Sequence, residues 1–302
     1  MMTNLRDDCE AILITGPTAS GKSALAVDLA RKYRGVVINA DSMQVYDTLR
    51  VLTARPSEAD MGGVDHLLYG HVPARRAYST GDWLRDVEQL LPALRQDGRL
   101  PVFVGGTGLY FKALTGGLSE MPAIPDEIRD RWRNRLLAEG ALPLHAALLE
   151  ADPIMAGRLR PSDGQRIVRA LEVMEACGQS LAELQAQTGP VLVDPLRAEK
   201  IIVLPDRRLL HQRINRRFGL MLEGGAVKEV ATLRQLDLPP DAPVLRAIGV
   251  AEIGAMLSGD MQRETVVERG SALTRQYAKR QMTWFRNQMD DSWTRLDPFA
   301  SG

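Results

Sequence analysis

Eight residues, G-P-T-A-S-G-K-S from Gly16 to Ser23, constrain the fold of this chain more than any other stretch. They match the pattern G-x-x-x-x-G-K-[ST] at every fixed position, and the apolar Ile12-Leu13-Ile14 leads into them as a strand should. A strand must hold such a loop, glycines must supply its unusual backbone angles, and a helix must begin where it ends so that unpaired amides face an anion. Lys22 adds a point charge, and the Ser23 hydroxyl can ligate Mg²⁺. The expected ligand is a diphosphate cradled by Gly16, Pro17, Thr18, Ala19, Ser20, Gly21, Lys22 and Ser23. ATP is the commonest molecule of that kind, but the loop reads phosphate oxygens and not the organic group they carry.

The rest of the chain supports an α/β class, a phosphate-loop NTPase-like parallel sheet with flanking helices. Strand-like runs at Ala11 to Ile14, Val36 to Ile38, His66 to Val72, Pro101 to Val104 and Ile201 to Leu204 alternate with helix-length segments. Trp83, Leu84, Val87, Leu90, Leu91 and Leu94 recur at helical spacing between Gly81 and Gly98 and mark a crossover helix. From about Met121 to Asp194 the strand signal vanishes and prolines punctuate helical stretches such as Ile128 to Glu139 and Gly164 to Ala176. The expected division is a core over residues 1–120, an all-helical insertion over 121–198, and a second core part over 199–302. After the Ile201 to Leu204 strand the sequence reads as helical, ending in a long segment from about Arg263 to Met289.

Two strand ends should open on the loop. Asp41 follows Val36-Val37-Ile38 and sits where open parallel sheets place their ligand crevice. It can be a general base, a carboxylate for Mg²⁺ or a cap of the following turn. Gly105-Gly106-Thr107-Gly108 follows the next run and either caps a helix or turns the Thr107 hydroxyl to the same crevice.

Lys plus Arg and Asp plus Glu both number 38, so any polyanionic partner must be met by local patches. Arg275, Lys279 and Arg286 fall within roughly forty degrees on a helical wheel, with Tyr277 and Trp284 opposite. Arg207, Arg208, Arg213, Arg216 and Arg217 form a second basic run. Each patch is either a solvated helix face or a surface for phosphates. Asp163 can cap the helix that carries Arg166 and Arg169, and Arg129 starts another after Pro125. His66, His71, His145 and His211 lack metal-ligand spacing, and Cys9 and Cys177 read as incidental in a reducing compartment. Asp7, Asp8 and Glu10 stand where a secretory signal would be basic and apolar, and no apolar run reaches membrane length, so a cytoplasmic protein is expected, without membrane contact.

Taken together, the phosphate loop, D-S-M-Q-V-Y at Asp41 to Tyr46 and G-G-T-G-L-Y at Gly105 to Tyr110 resemble the tRNA dimethylallyltransferase family. D-G-Q-R-I-V-R-A-L-E-V at Asp163 to Val173, A-I-G at Ala247 to Gly249 and R-Q-Y-A-K-R-Q-M-T-W-F-R at Arg275 to Arg286 resemble its later motifs, in the same order. The resemblance implies transfer of a dimethylallyl group from dimethylallyl diphosphate to N6 of the adenosine at position 37 of tRNA, next to the anticodon, with Mg²⁺ and release of pyrophosphate. It implies Asp41 as acceptor of the N6 proton, Lys22 on the diphosphate, and Thr107 and Arg129 along the reaction channel. It further implies tRNA contacts from Asp41, Ser42, Met43 and Gln44, from Gln165, Arg166, Ile167, Val168 and Arg169, and from Arg246, Arg275, Lys279 and Arg280. The helical insertion would clamp the anticodon stem-loop, and a monomer is expected. Val250-Ala251 departs from the family's aromatic and longer polar pair, so contacts from that turn are not implied. Rival readings are an ATP-dependent kinase of a small molecule or nucleotide, an isopentenyltransferase of free adenine nucleotides, and a nucleotide-dependent binding switch.

Overall fold

A computed structural model describes residues 5–119 and 121–299. They form two compact units, one joining the residues up to Thr115 to those from Leu192 on, the other Gly116–Val191. The first unit carries a six-stranded, wholly parallel sheet in the order β3-β2-β4-β1-β5-β6. Its strands are β1 Ala11–Thr15, β2 Gly35–Asn39, β3 His66–Leu67, β4 Leu100–Gly105, β5 Ala198–Val203 and β6 Thr294–Leu296.

Both faces of the central strands are covered, which is why they read as continuous apolar runs. Ile12 and Ile14 of β1 pack with Val102, Val104 and α1, Lys22–Lys32, through Ala26, Leu29 and Ala30. The alternate residues Ala11 and Leu13 pack on the other face with α2, Thr80–Gln96, and α3, Gly108–Gly116. Trp83 of α2 is buried, stacks on Tyr110 of α3 at 4.4 Å and donates its indole N–H to the Asn39 carbonyl at 2.7 Å. A reciprocal capping box between Ser79 and Asp82 starts α2.

Within the helical unit, α4 Asp126–Glu139, α5 Ala141–Ala151 and α6 Gly164–Cys177 bury Leu144, Leu148, Ile167, Ala170 and Leu171. The compact units divide at Gly116 and Val191, whereas the sequence reading puts the edges at 121 and 198. Residues past Val191 pack with the sheet: the Leu192 and Val193 amides donate to the Leu114 carbonyl, and Ala198 pairs with Ala11. Beyond β5 come α7 Arg207–Met221, α8 Val227–Arg234, α9 Val250–Leu257 and α10 Arg263–Gln288. These share a second core with Val45, Tyr46, Leu49 and Leu52.

Three expectations need correction. The run from His66 to Val72 is not one strand: Leu68 and Gly70, with φ of 61° and 57°, turn the chain after Leu67, and Val72 only bridges Tyr46. The segment after α10 is not wholly helical, because Thr294–Leu296 adds β6 to the edge of β5. Three residues with one apolar member leave no periodic signal. Asp163 does not cap α6 with its side chain, which instead pairs with Arg166 at 3.3 Å.

The Gly105 position holds β4 close to the backbone that follows β2. A Cβ there would lie 1.9 Å from the Ala40 oxygen, so both chains would have to part. Gly105→Ala is expected to cost about 3 kcal/mol, the upper range for overpacking, because backbone and not a flexible side chain is in the way. Urea unfolding measures it, and a loss under about 0.5 kcal/mol would show that this approach is not rigid.

Candidate active site

The phosphate loop leaves β1 with Gly16 against β5, where a Cβ would meet the Val203 oxygen at 2.5 Å. Ala19 at φ 65° and Gly21 at φ 95° then turn it into α1. These left-handed positions point successive amides to one side and form a concavity for an anion. Lys22 donates to the Pro17 carbonyl at 3.2 Å across the loop. Burial lowers its pKa to about 8, opposed by the Asp41 charge and reinforced by Arg217. Among the described residues the buried Ser20 hydroxyl has no hydrogen-bond partner.

Asp41 is fixed by its own turn. Its amide donates to Asn39 Oδ1 at 2.9 Å, and its Oδ1 accepts the Met43 amide at 2.9 Å. Oδ2 lies on the Gly106 side, 3.5 Å from where a Cβ of that glycine would stand. The turn-capping role and a chemical role are therefore compatible, since one oxygen does the first. Thr107 accepts the Ser42 amide at 3.0 Å, so its hydroxyl braces the loop after Asp41. Gln281 of α10 accepts the Thr18 amide at 2.9 Å and donates to the Gly106 carbonyl at 3.0 Å. Sequence reading assigned no task to Gln281; its signal is a lone amide on the buried face of a basic helix.

Two cavities share Thr18, Asp41, Thr53 and Arg217. The first, about 420 Å³, lies over the loop and is cationic, lined by Lys22, Arg213, Arg216 and Arg217 with Ser20, Ser23 and Gln44. The second, about 270 Å³, sets Met43, Leu52, Ile214, Phe218, Ile248 and Tyr277 beside Arg217, Arg246 and Arg280. Arg217 bonds the Thr18 hydroxyl, and Arg213 Nε donates to the Ala19 carbonyl at 2.9 Å. Burial, with repulsion from Arg213, lowers the Arg217 pKa to about 10, and Asp41 opposes this. The basic run on α7 thus serves the phosphate loop at i and i+4, a use that the sequence reading did not separate from a general phosphate surface.

The expected tRNA contacts fall into two groups. Ser42, Met43, Arg246 and Arg280 line the second cavity, and Gln44 lines the first while donating to the Thr53 and Ala54 carbonyls at 2.9 and 3.1 Å. Lys279 and Arg286 are exposed on α10, whereas Arg275 is half-buried and donates to Asn215 at 2.5 Å. In the helical unit Gln165 and Arg166 are exposed and Arg169 is half-buried, 3.4 Å from Glu172. The side chains of Ile167 and Val168 differ from that expectation of exposed contacts: α6 turns them inward into that unit's core. Arg129 starts α4 and lies 3.5 Å from Asp126.

The chain matches the family described as IPP transferase over residues 44–288, and the one described as isopentenyl transferase over residues 9–71. It is 68% identical to the tRNA dimethylallyltransferase of Rhizobium johnstonii, over 98% of this chain and 99% of that protein. It is 65% identical to that of Rhizobium meliloti over 100% of both. Among solved structures, it is similar to the full-length tRNA isopentenylpyrophosphate transferase of Bacillus halodurans, with 32% identity and TM-score 0.66 over 95% of this chain and 90% of that one. A eukaryotic dimethylallyltransferase acting on tRNA is similar at 27% identity and TM-score 0.80, over 96% and 74%.

The lowered Lys22 pKa gives the site a pH signature. Between about 8 and 10.5 the folded state binds fewer protons at Lys22 than the unfolded state, so this group adds stability as pH rises through that window. Anion binding requires the proton and works in the opposite direction. Affinity for inorganic pyrophosphate, measured by calorimetry, should fall as pH rises through about 8. Lys22→Met should bind weakly and lack this step; identical profile shapes for the two proteins would remove Lys22 from the anion site.

Proposed function

The chain belongs to the IPP transferase family, whose relatives include tRNA dimethylallyltransferases, and from this we propose that it transfers a dimethylallyl group from dimethylallyl diphosphate to N6 of adenosine 37 of tRNA. The observation that carries the reading is the meeting, at Asp41, Thr18 and Arg217, of a cationic cleft and a second cavity that sets apolar side chains beside Arg246 and Arg280. The cleft suits a diphosphate, and the second cavity suits a five-carbon tail and a base withdrawn from its loop. Extruding that base costs a few kcal/mol, offset by contacts elsewhere on the tRNA.

In the reaction the N6 to carbon bond forms as the allylic C–O bond breaks. The N6 proton passes to Asp41, and the electron pair of the broken bond leaves with pyrophosphate. Lys22, Arg217 and the loop amides stabilise the charge that develops on the departing oxygen. Met43 fixes Asp41 through Oδ1, and Thr107, by bracing Ser42, keeps that turn in register. Among the described residues no three His, Cys, Asp or Glu side chains converge as a cation site. A Mg²⁺ would be held by Ser23, with diphosphate oxygens and water completing its shell. When bound, the ion would neutralise charge on the diphosphate.

The exposed Lys279, Arg280 and Arg286 supply affinity for the tRNA backbone in this reading, and we assign the helical unit, through Gln165, Arg166 and Arg169, to the anticodon stem-loop by resemblance. Arg129 is assigned to the reaction channel by resemblance alone. Among the described residues no helix is long and apolar enough to cross a membrane. We assign the protein to the cytoplasm as a monomer.

Asp41→Asn keeps the shape and removes the base. Single-turnover transfer to bulk tRNA should fall by about a hundredfold or more while donor and tRNA affinities change little. If Asp41 instead holds the metal, donor affinity should collapse and added Mg²⁺ should partly restore the rate; near-normal chemistry in the folded variant would refute the general base. Wild-type ATP hydrolysis without prenylated tRNA would favour a kinase.

Neutralising the exposed Lys279 in Lys279→Gln should weaken tRNA binding and reduce the slope of log affinity against log salt by about one contact. An unchanged slope for Lys279→Gln and Arg286→Gln would return this face of α10 to solvent.

A further inference from the structure

We propose that Phe299 is a positioning residue for the donor diphosphate, acting through Arg213. Strand β6 is pinned to β5, and the Leu296 carbonyl accepts the Leu204 amide at 2.7 Å. The chain then turns at Asp297, whose Oδ1 accepts the Phe299 amide at 3.0 Å. This brings Pro298 and Phe299 against the start of α1. A Cβ on Gly21 would stand 3.4 Å from Phe299 Cζ and 3.9 Å from Pro298 Cγ. The Arg213 guanidinium lies 4.5 Å from the centre of the Phe299 ring, within the range of cation–π attraction.

Arg213 needs such a support. It is exposed on α7 and lines the cationic cleft beside Arg217, whose charge repels its own. The two arginines are held differently: Arg217 by the Thr18 hydroxyl, and Arg213 by the Ala19 carbonyl together with the aromatic ring. Without the ring, a long cation repelled by its neighbour would spend more time in solvent, and each binding event would have to order it again. Phe299 does not line either cavity, so it need not touch the donor. Its contribution is to hold Arg213 in place before the diphosphate arrives.

The proposal rests on reading the cleft as a diphosphate site and is independent of the acceptor. Binding of inorganic pyrophosphate with Mg²⁺ tests it by calorimetry on the full chain. Phe299→Ala should weaken binding about fivefold, a change within the range of an exposed cation–π pair. Phe299→Trp should stay within about twofold of wild type, whereas Phe299→Leu should resemble Phe299→Ala, because it keeps bulk and loses the π face. In an Arg213→Ala background the Phe299→Ala substitution should have no further effect. The same loss in both backgrounds, or unchanged binding by Phe299→Ala, would overturn the proposal. In transfer assays Phe299→Ala should raise the apparent donor requirement and leave the single-turnover rate at saturating donor unchanged. No pyrophosphate binding by the wild-type chain would overturn the cleft reading and this proposal with it. Binding by wild type without prenyl transfer would count against the proposed reaction only.

Discussion

Gln281 accepts the Thr18 amide and donates to the Gly106 carbonyl, so one buried carboxamide ties the phosphate loop, the turn after β4 and the long helix α10 together. Loop, strand end and helix come from distant parts of the chain. A loop amide left unpaired away from water would cost about 1–3 kcal/mol, and so would the facing carbonyl, which makes the arrangement with both satisfied strongly preferred. Gly106 is part of the same constraint, because a Cβ there would stand 2.2 Å from Gln281 Nε2. Gly108 plays the equivalent part for Trp284, whose ring lies 2.1 Å from where its Cβ would be. The glycines after β4 thus let α10 lie directly on the crevice, and they carry the basic side chains of that helix with it.

What was legible in the sequence follows from how local each signal is. The strand, loop and helix from Ala11 to Lys32 are contiguous, and so is the alternation of apolar runs, and both appear in the structure. The carboxyl-end placement of Asp41 also follows from a local pattern, since β2 ends at Asn39. Signals that depend on pairing were not legible. β3 stops at Leu67 because the backbone turns through left-handed positions that Leu68 does not advertise. β6 exists because β5 offers a free edge to three residues of low apolar content. The same limit applies to the site: Gln281, Arg213 and Arg217 act at positions where only the third dimension shows which face of a helix meets the loop. Conversely Ile167 and Val168 lie in a motif of exposed neighbours, and only the packing of α6 separates the two kinds.

In the proposed reaction a phosphate loop serves carbon transfer. In phosphoryl transfer the bond that breaks lies within the phosphate chain, so the acceptor must reach the terminal phosphorus. Here the cleft over the loop is lined by Lys22, Arg213, Arg216 and Arg217, while the second cavity sets Met43, Leu52 and Phe218 beside Arg246 and Arg280. In the proposed reaction a diphosphate on the loop would keep its charge in the first cavity and turn its organic group toward the apolar side chains of the second. The bond between the two is the ester C–O bond, and Asp41 lines both cavities, where on this proposal an attacking amine would lose its proton. On that proposal loop, arginines and carboxylate act on different atoms of one displacement, and the centre attacked is carbon rather than phosphorus.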